Sequence, residues 1–305
     1  MNEFYPEGWE INAPKPHYSQ SELAEAMANQ TVLEGRVKMC DATHNLVVEL
    51  GDIKGIIPRN EGAIGIAEGQ TRDIALISRV GKSVCFTVSE LCYTDKGESY
   101  ALLSRKRAQE LCRKNLIDNH SLGDVIPAKI THLESFGAFC DIGWGIIALL
   151  PIDSISVSRI SHPKDRFFVG ENIKAVIKNI ADDGKITLSH KELLGTWEEN
   201  ARNFSAGQTV TGVIRSIEDY GIFVEIAPNL AGLAEPRSDA KVGCQASVYI
   251  KSIIPEKMKI KLIIIDSFDS PFSPKITYFY KGDNISSWDY SPYDCTKKKT
   301  SRFCG

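Results

Sequence analysis

The 305-residue sequence has eight cysteines, at 40, 85, 92, 112, 140, 244, 295 and 304, but no C-x-x-C pair and no spacing that matches a zinc or iron–sulfur ligand set. Reduced thiols are therefore expected, without a metal centre. No apolar run approaches the roughly 18–20 residues that span a bilayer, and the first thirty residues lack a basic stretch leading into an apolar one. The expectation is a soluble, cytoplasmic protein with no membrane partner. Excess charge of one sign is also missing: the net charge is −3, which argues against indiscriminate electrostatic adhesion to nucleic acid. The acidic residues scatter over strands and turns, without the carboxylate grouping that holds metal ions for phosphodiester hydrolysis. A non-enzymatic protein follows, with no catalytic residue, no metal and no other cofactor assigned.

What is present is a normal globular mixture, 43% hydrophobic and 25% charged, long enough for two or three ordinary domains. Charge is distributed unevenly. Residues 1–30 hold one Lys against five Glu, while the tail from 267 holds six Lys or Arg against four Asp. The segments between are close to neutral.

A shift of 84 residues lays "GDVIPAKITHLESFGAFCDI" at 123–142 over "GQTVTGVIRSIEDYGIFVEI" at 207–226 without a gap. Gly123 meets Gly207, Glu134 meets Glu218, Phe136 meets Tyr220, Gly137 meets Gly221 and Phe139 meets Phe223. Two copies of one domain explain this. A third, weaker copy begins near Gly35 with "GRVKMCDATHNLVVELGDIKGIIPRNE". Each copy reads as short β-branched strands separated by Gly, Pro, Asp and Asn, the pattern of a small barrel. In the second copy the strands are predicted at 125–133, 137–142, 146–150, 173–180 and 185–189. The fold class is thus mainly β: three tandem, five-stranded OB-type barrels joined by short α-helices.

Helices are expected between the copies. "LSHKELLGTWEENARNF" offers Ser189 and Glu192 as a capping box, followed by Leu193, Leu194, Trp197, Ala201 and Phe204 at helical spacing. "LSRKRAQELCRKNLIDN" at 103–119 plays the same part earlier, with Ala108, Leu111 and Cys112 as its apolar face, and Ser19 and Glu22 cap a short helix near the start. The division is then 1–30, an acidic segment with a short helix; 31–107, a degenerate first domain; 108–120, a linker helix; and 121–190, the second domain. A linker helix at 191–206, the third domain at 207–266 and an aromatic, Lys-containing tail at 267–305 complete it. The tail has no clear periodicity and finds no place on the repeat.

Phe136 and Phe139 are three apart, so in a regular strand they would point to opposite faces. A bulge at the intervening Gly137, and likewise at Gly221 between Tyr220 and Phe223, would bring both rings to one face and leave Ala138, Cys140 and Ile142, or Ile222, Val224 and Ile226, for the core. Exposed rings on that face of an OB barrel can stack on unpaired bases, with roughly 1–3 kcal/mol per stacked base. Accompanying charge is sparse, so stacking is expected to lead. The loop "SRISHPKDRF" at 158–167 brings Arg159, His162, Lys164 and Arg166 as possible phosphate contacts. Lys185 after the "ADDG" turn, and Lys257, Lys259 and Lys261 in the third copy, are further candidates, whereas "KKK" at 297–299 reads as a solvated tail.

The "FGAF" and "YGIF" stretches, "GKITLSHKELLGTWEEN" and "LSRKRAQE" resemble the S1-domain family, the OB-type RNA-binding module of bacterial ribosomal protein S1. The "LSHKELLGTWEEN" phrase is similar to the inter-domain segment of its Gram-positive, clostridial-type homologues. The resemblance covers about residues 20–266. It implies an RNA face with Phe136 and Phe139 in the second copy, Tyr220 and Phe223 in the third, and Lys185 and Lys259 at the basic position. The family's histidine position is occupied here by Pro151 and Glu235, and its aspartate position by Ala181 and Pro255, departures that favour stacking over base-specific contacts. The first copy has no ring pair, offering only His44 with Leu46 or Val47. By resemblance, this domain and the segment before it dock on the small ribosomal subunit while later domains capture single-stranded mRNA. A post-transcriptional regulator, or an accessory subunit of an RNA-processing or ribonuclease complex, is the alternative.

Overall fold

A computed structural model of the chain describes residues 4–9, 17–95, 97–269 and 275–303. In order, the elements begin with α1 (Gln20–Asn29), β1 (Leu33–Cys40), β2 (Leu46–Glu49), β3 (Lys54–Ile57), α2 (Ile74–Ile77), β4 (Ser83–Tyr93), β5 (Ser99–Ser104) and α3 (Arg105–Asn119). They continue through β6 (Val125–Glu134), β7 (Gly137–Asp141), β8 (Ile147–Pro151), α4 (Ile152–Ile155), β9 (Asn172–Ile180), β10 (Ile186–Ser189) and α5 (Trp197–Ala201). Then come β11 (Thr209–Glu218), β12 (Gly221–Ala227), β13 (Leu230–Ala234), β14 (Gln245–Ile254), β15 (Lys259–Phe268), β16 (Ser287–Asp289) and β17 (Thr300–Arg302).

Three closed five-stranded barrels result, β1-β2-β3-β5-β4, β6-β7-β8-β10-β9 and β11-β12-β13-β15-β14. All share one topology, with a meander, a parallel contact between third and fifth strands, and closure through the fourth. Closure leaves none of these strands with a free edge. The mainly β, triple-barrel class expected from the strand pattern is what the chain adopts.

The chain forms two compact units, one of residues 1–120 with 127–129 and 141–147, the other of the remainder. In the first, alternate residues of each strand point inward, so that Val84, Phe86 and Val88 of β4 meet Val37, Leu46, Val48, Ile57 and Leu103. Helix α1 starts at the expected capping box, Ser19 with Glu22, and lays Leu23 and Ala26 on this core. Helix α3 is capped by Ser104 and buries Ala108, Cys112 and Leu116, whereas Leu111, expected on its apolar face, is exposed. The reason is that α3 also buries two polar residues. Arg105 donates from Nε and Nη2 to the Glu7 carboxylate (2.7 and 2.8 Å), and Gln109 donates to the Gly145 carbonyl (2.8 Å). Burial alone would raise the Glu7 carboxyl, but Arg105 and Arg79 outweigh it and hold it below its ordinary value. Asp141 accepts N–H bonds from Glu7, Gly143 and Gly145, yet burial and the neighbouring Glu7 charge push its carboxyl up to about 7.

In the second unit, the segment 189–204 departs from the single helix expected. Ser189 ends β10, and its hydroxyl hydrogen-bonds Glu192 Oε2 (2.5 Å) without capping a helix. A 3₁₀ turn over Lys191–Leu194 stops at Gly195, whose φ of +80° lies in the left-handed region, and α5 starts afresh at a Thr196–Glu199 capping box. The stop lets Leu193 and Trp197 enter one core with Val176 of β9 and Ile214, Ile222, Val224, Ala234 and Val248 of the third barrel.

The same core takes in the tail that had no place on the repeat. β16 and β17 pair as a two-stranded ribbon, and Ile285, Trp288, Tyr290 and Phe303 are buried. Lys297, Lys298 and Lys299 are exposed, with Lys298 Nζ donating to the Pro292 and Tyr293 carbonyls (3.1 and 2.5 Å) and Lys299 5.9 Å from the Tyr290 ring centroid.

Candidate nucleic-acid interface

The ring pairs come together, but not through a bulge at glycine. In the third barrel β11 and β12 pair as Ser216↔Phe223, Ile217↔Ile222 and Glu218↔Gly221, so the pairing is regular at Gly221 and Asp219–Tyr220 form a two-residue turn. Tyr220 is thus outside the strand and freed from its alternation, while Phe223 lies on the outward side of β12. The second barrel repeats this, with Ser135–Phe136 in the turn and Phe139 in β7. Centroids lie 6.0 Å apart for Phe136–Phe139 and 6.1 Å for Tyr220–Phe223, with interplanar angles of 88° and 87°. Edge-to-face contact of this kind favours one arrangement of the two rings before any ligand arrives. Phe136 and Tyr220 remain 54% and 67% exposed, which leaves ring surface free to stack.

The glycine has a different task from the one expected. A Cβ on Gly137 would stand 2.6 Å from the Leu150 carbonyl oxygen, and one on Gly221 2.6 Å from that of Ala234, the same atom one repeat later. Glycine therefore lets the ring-bearing strand approach the neighbouring strand. In the β11–β12 pairing the register shift falls in β11, between Ile214 and Ser216, and the intervening Arg215 reaches Glu225.

Around the second pair, His132 of β6 lies 6.3 Å from Phe139, 28° from parallel, and its Nε2 is 2.7 Å from Glu134 Oε1. This imidazole was missed because it is isolated in sequence, although it precedes Glu134 by two residues on the same strand. In the third barrel Phe223 pairs with Leu233, and Leu233 with Lys261, so the row Phe223–Leu233–Lys261 runs across three strands. Lys261 is thus set two strands, about 10 Å, from the ring.

The remaining candidates divide. Lys185 is exposed beyond the β9–β10 turn, with Nζ 2.5 Å from Asp183 Oδ2, and Lys259 is exposed at the start of β15. His162 caps a 3₁₀ turn over Pro163–Asp165, its Nδ1 accepting the Lys164 N–H (3.1 Å), so its ring serves the loop; Lys164 is exposed. Arg166 corrects the expectation of a phosphate-tracking loop. It is fully buried in a hydrogen-bonded ion pair with Glu225, whose other oxygen accepts from Arg215 Nε (2.7 Å), while Arg215 Nη1 is 3.5 Å from Asp165. Burial pushes the Arg166 guanidinium below its ordinary value, against the pull of Glu225. Arg159 is free of this cluster and 83% exposed, 3.8 Å from Glu218 of the third barrel.

In the first barrel the corresponding hairpin tip carries no ring pair, only His44. Asp41 accepts N–H bonds from Thr43 and Asn45 (both 2.9 Å), and His44 Nδ1 is 3.6 Å from Asp73. Among the described residues no group of three or more His, Cys, Asp or Glu could hold a metal ion, and no helix is long and apolar enough to cross a membrane.

The family model described as "S1 RNA binding domain" matches residues 119–191, the second barrel. The small ribosomal subunit protein bS1 of Staphylococcus epidermidis is 30% identical over 79% of this chain and 63% of its own length. The second barrel thus matches the S1 RNA-binding domain, and most of the chain is similar to bS1. The bS1 homologue of Bacillus cereus is 28% identical over 90% of this chain and 69% of that protein. The chain spans less than two thirds of the length of the staphylococcal relatives it matches. Among solved structures, a multidomain protein with nucleic acid binding domains from Streptococcus pneumoniae is similar at 11% identity and a TM-score of 0.25, over 79% of this chain and 75% of that one.

Proposed function

We propose that this chain is a cytoplasmic, non-enzymatic RNA-binding protein that captures single-stranded mRNA by stacking bases on the second and third barrels, close to the small ribosomal subunit. The observation that carries the reading is the repeated pair of rings, edge to face at 6.0 and 6.1 Å on the same hairpin of two barrels. Stacking tolerates any base, which suits capture of varied transcripts. Lys185, Lys259 and Lys261 supply scattered positive charge on the same two barrels, and the first barrel, which lacks the ring pair, is assigned with the acidic amino-terminal segment to docking on the subunit. The printed names of the relatives, small ribosomal subunit protein bS1, support that partner.

Changing Phe136, Phe139, Tyr220 and Phe223 together to Ala tests the reading by fluorescence anisotropy with an unstructured RNA oligonucleotide. At roughly 1–3 kcal/mol per stacked base, affinity should fall well over tenfold. Unchanged affinity sinks the stacking mechanism.

A further inference from the structure

The loop of the second barrel between α4 and β9 is fastened to the third barrel on both sides of Arg159. Before it, the Ser156 hydroxyl and the Val157 N–H donate to Asn229 Oδ1 (3.0 and 2.7 Å). After it, Asp165 meets Arg215 at 3.5 Å and Arg166 is buried against Glu225. Asn229 is itself held, donating to the Lys191 carbonyl (2.8 Å) and accepting from the Tyr290 hydroxyl. Arg159 is therefore an exposed guanidinium on an anchored loop. It faces Glu218, the last residue of β11, which immediately precedes the turn bearing Tyr220.

We propose that Arg159 of the second barrel completes the ring platform of the third: RNA stacked on Tyr220 and Phe223 presents a phosphate to the Arg159 guanidinium, which exchanges Glu218 for it. The proposal rests on the stacking reading above. Two physical reasons support the exchange. An exposed ion pair at 3.8 Å is weak and screened by salt, whereas a phosphate offers a guanidinium bidentate, charge-assisted hydrogen bonds. Glu218 keeps the guanidinium beside the platform when RNA is absent and competes with phosphate when it is present. At the equivalent place in the second barrel, Glu134 instead holds His132 of its own strand. The two platforms thus differ in the charge they bring to the strand.

The test is titration of the full chain with an oligo(U) probe over a range of salt concentrations. Each phosphate contact to a single strand contributes about 0.7 to the slope of log affinity against log salt, so Arg159→Ala should lower the slope by about that much. Between about 50 and 200 mM salt, the unaltered chain should then weaken roughly 2.5-fold more than the variant. Arg159→Lys should keep the slope, and Glu218→Gln should tighten binding. In a Tyr220→Ala, Phe223→Ala background, Arg159→Ala should have no further effect, because the two act on the same strand. An unchanged slope in Arg159→Ala, with affinity still lost in the four-ring variant, overturns the composite platform and leaves stacking standing. An undiminished effect in the ringless background overturns it too, whereas insensitivity to all four rings removes the stacking reading itself.

Discussion

Replacing Glu225 by Ala is the most demanding test of how the third barrel is built. Its carboxylate lies wholly buried in β12 between Arg166 from the second barrel's loop and Arg215 from β11, with Asp165 at the far side of Arg215. Two cations face two carboxylates, so the cluster is neutral. Within it Arg166 Nε and Arg215 Nη2 already lack hydrogen-bond partners, which leaves little to absorb a further loss. Without Glu225, the buried Arg166 loses its hydrogen-bonded counter-charge and keeps only the weaker attraction of Asp165, and breaking a buried pair from one side costs about 3–5 kcal/mol. With an assumed urea dependence of about 2 kcal/mol per molar, the unfolding midpoint should fall by roughly 2 M. Trp197 and Trp288 lie in the core of this unit, so tryptophan fluorescence in urea reports the transition. The double variant Arg166→Met, Glu225→Leu leaves Arg215 with Asp165 and should be closer to the unaltered protein than the single variant, since apolar replacement of a whole pair is commonly neutral. A single-variant cost below about 1 kcal/mol, or a double variant worse than the single, refutes the reasoning.

Two further perturbations read other parts of the structure. His190 is buried between Phe167 and Tyr278, and burial pushes its imidazole down to about 4. The unfolded chain protonates near its ordinary value while the folded one stays neutral, so stability should decline as pH falls from about 6.5 toward 4, by roughly 3 kcal/mol in total. His190→Gln should flatten that decline in acid unfolding curves, and an imidazole that titrates near 6.5 by NMR contradicts it. Gly137→Ala puts a methyl 2.6 Å from the Leu150 carbonyl oxygen and 3.1 Å from the Pro151 Cα, both backbone atoms. A loss of about 1–3 kcal/mol is expected by thermal unfolding, and an unmoved Tm refutes the need for glycine at the β7–β8 approach.

The strands, the repeat and the capping box at Ser19 are legible because they rest on local patterns: period-two alternation, turn residues and a three-residue side-chain spacing. The ring pairs are legible for a weaker reason. Their repetition marks them, but the geometry expected for them, a bulge at glycine, is not the one adopted. Hairpin register decides that, and register depends on which residues of β11 and β12 face each other, not on the glycine alone. Arg166 and Arg159 show the limit most clearly. Both sit in one basic loop of similar appearance, yet Glu225, 59 residues beyond Arg166, takes one into the interior and leaves the other at a neighbouring platform.

By itself, then, the sequence determines three closed barrels and two ring-bearing hairpins, since chain-local alternation, turn chemistry and repetition are enough to encode them. Only tertiary structure decides that residues 275–303 fold, because Trp288, Tyr290 and Phe303 carry no periodicity and become buried in a core shared with distant residues such as Trp197, Ile222 and Val224. It also decides which charges face solvent, because the desolvation of a guanidinium depends on a carboxylate supplied from a distant strand. Distance along the chain hides such partners, and burial pairs them.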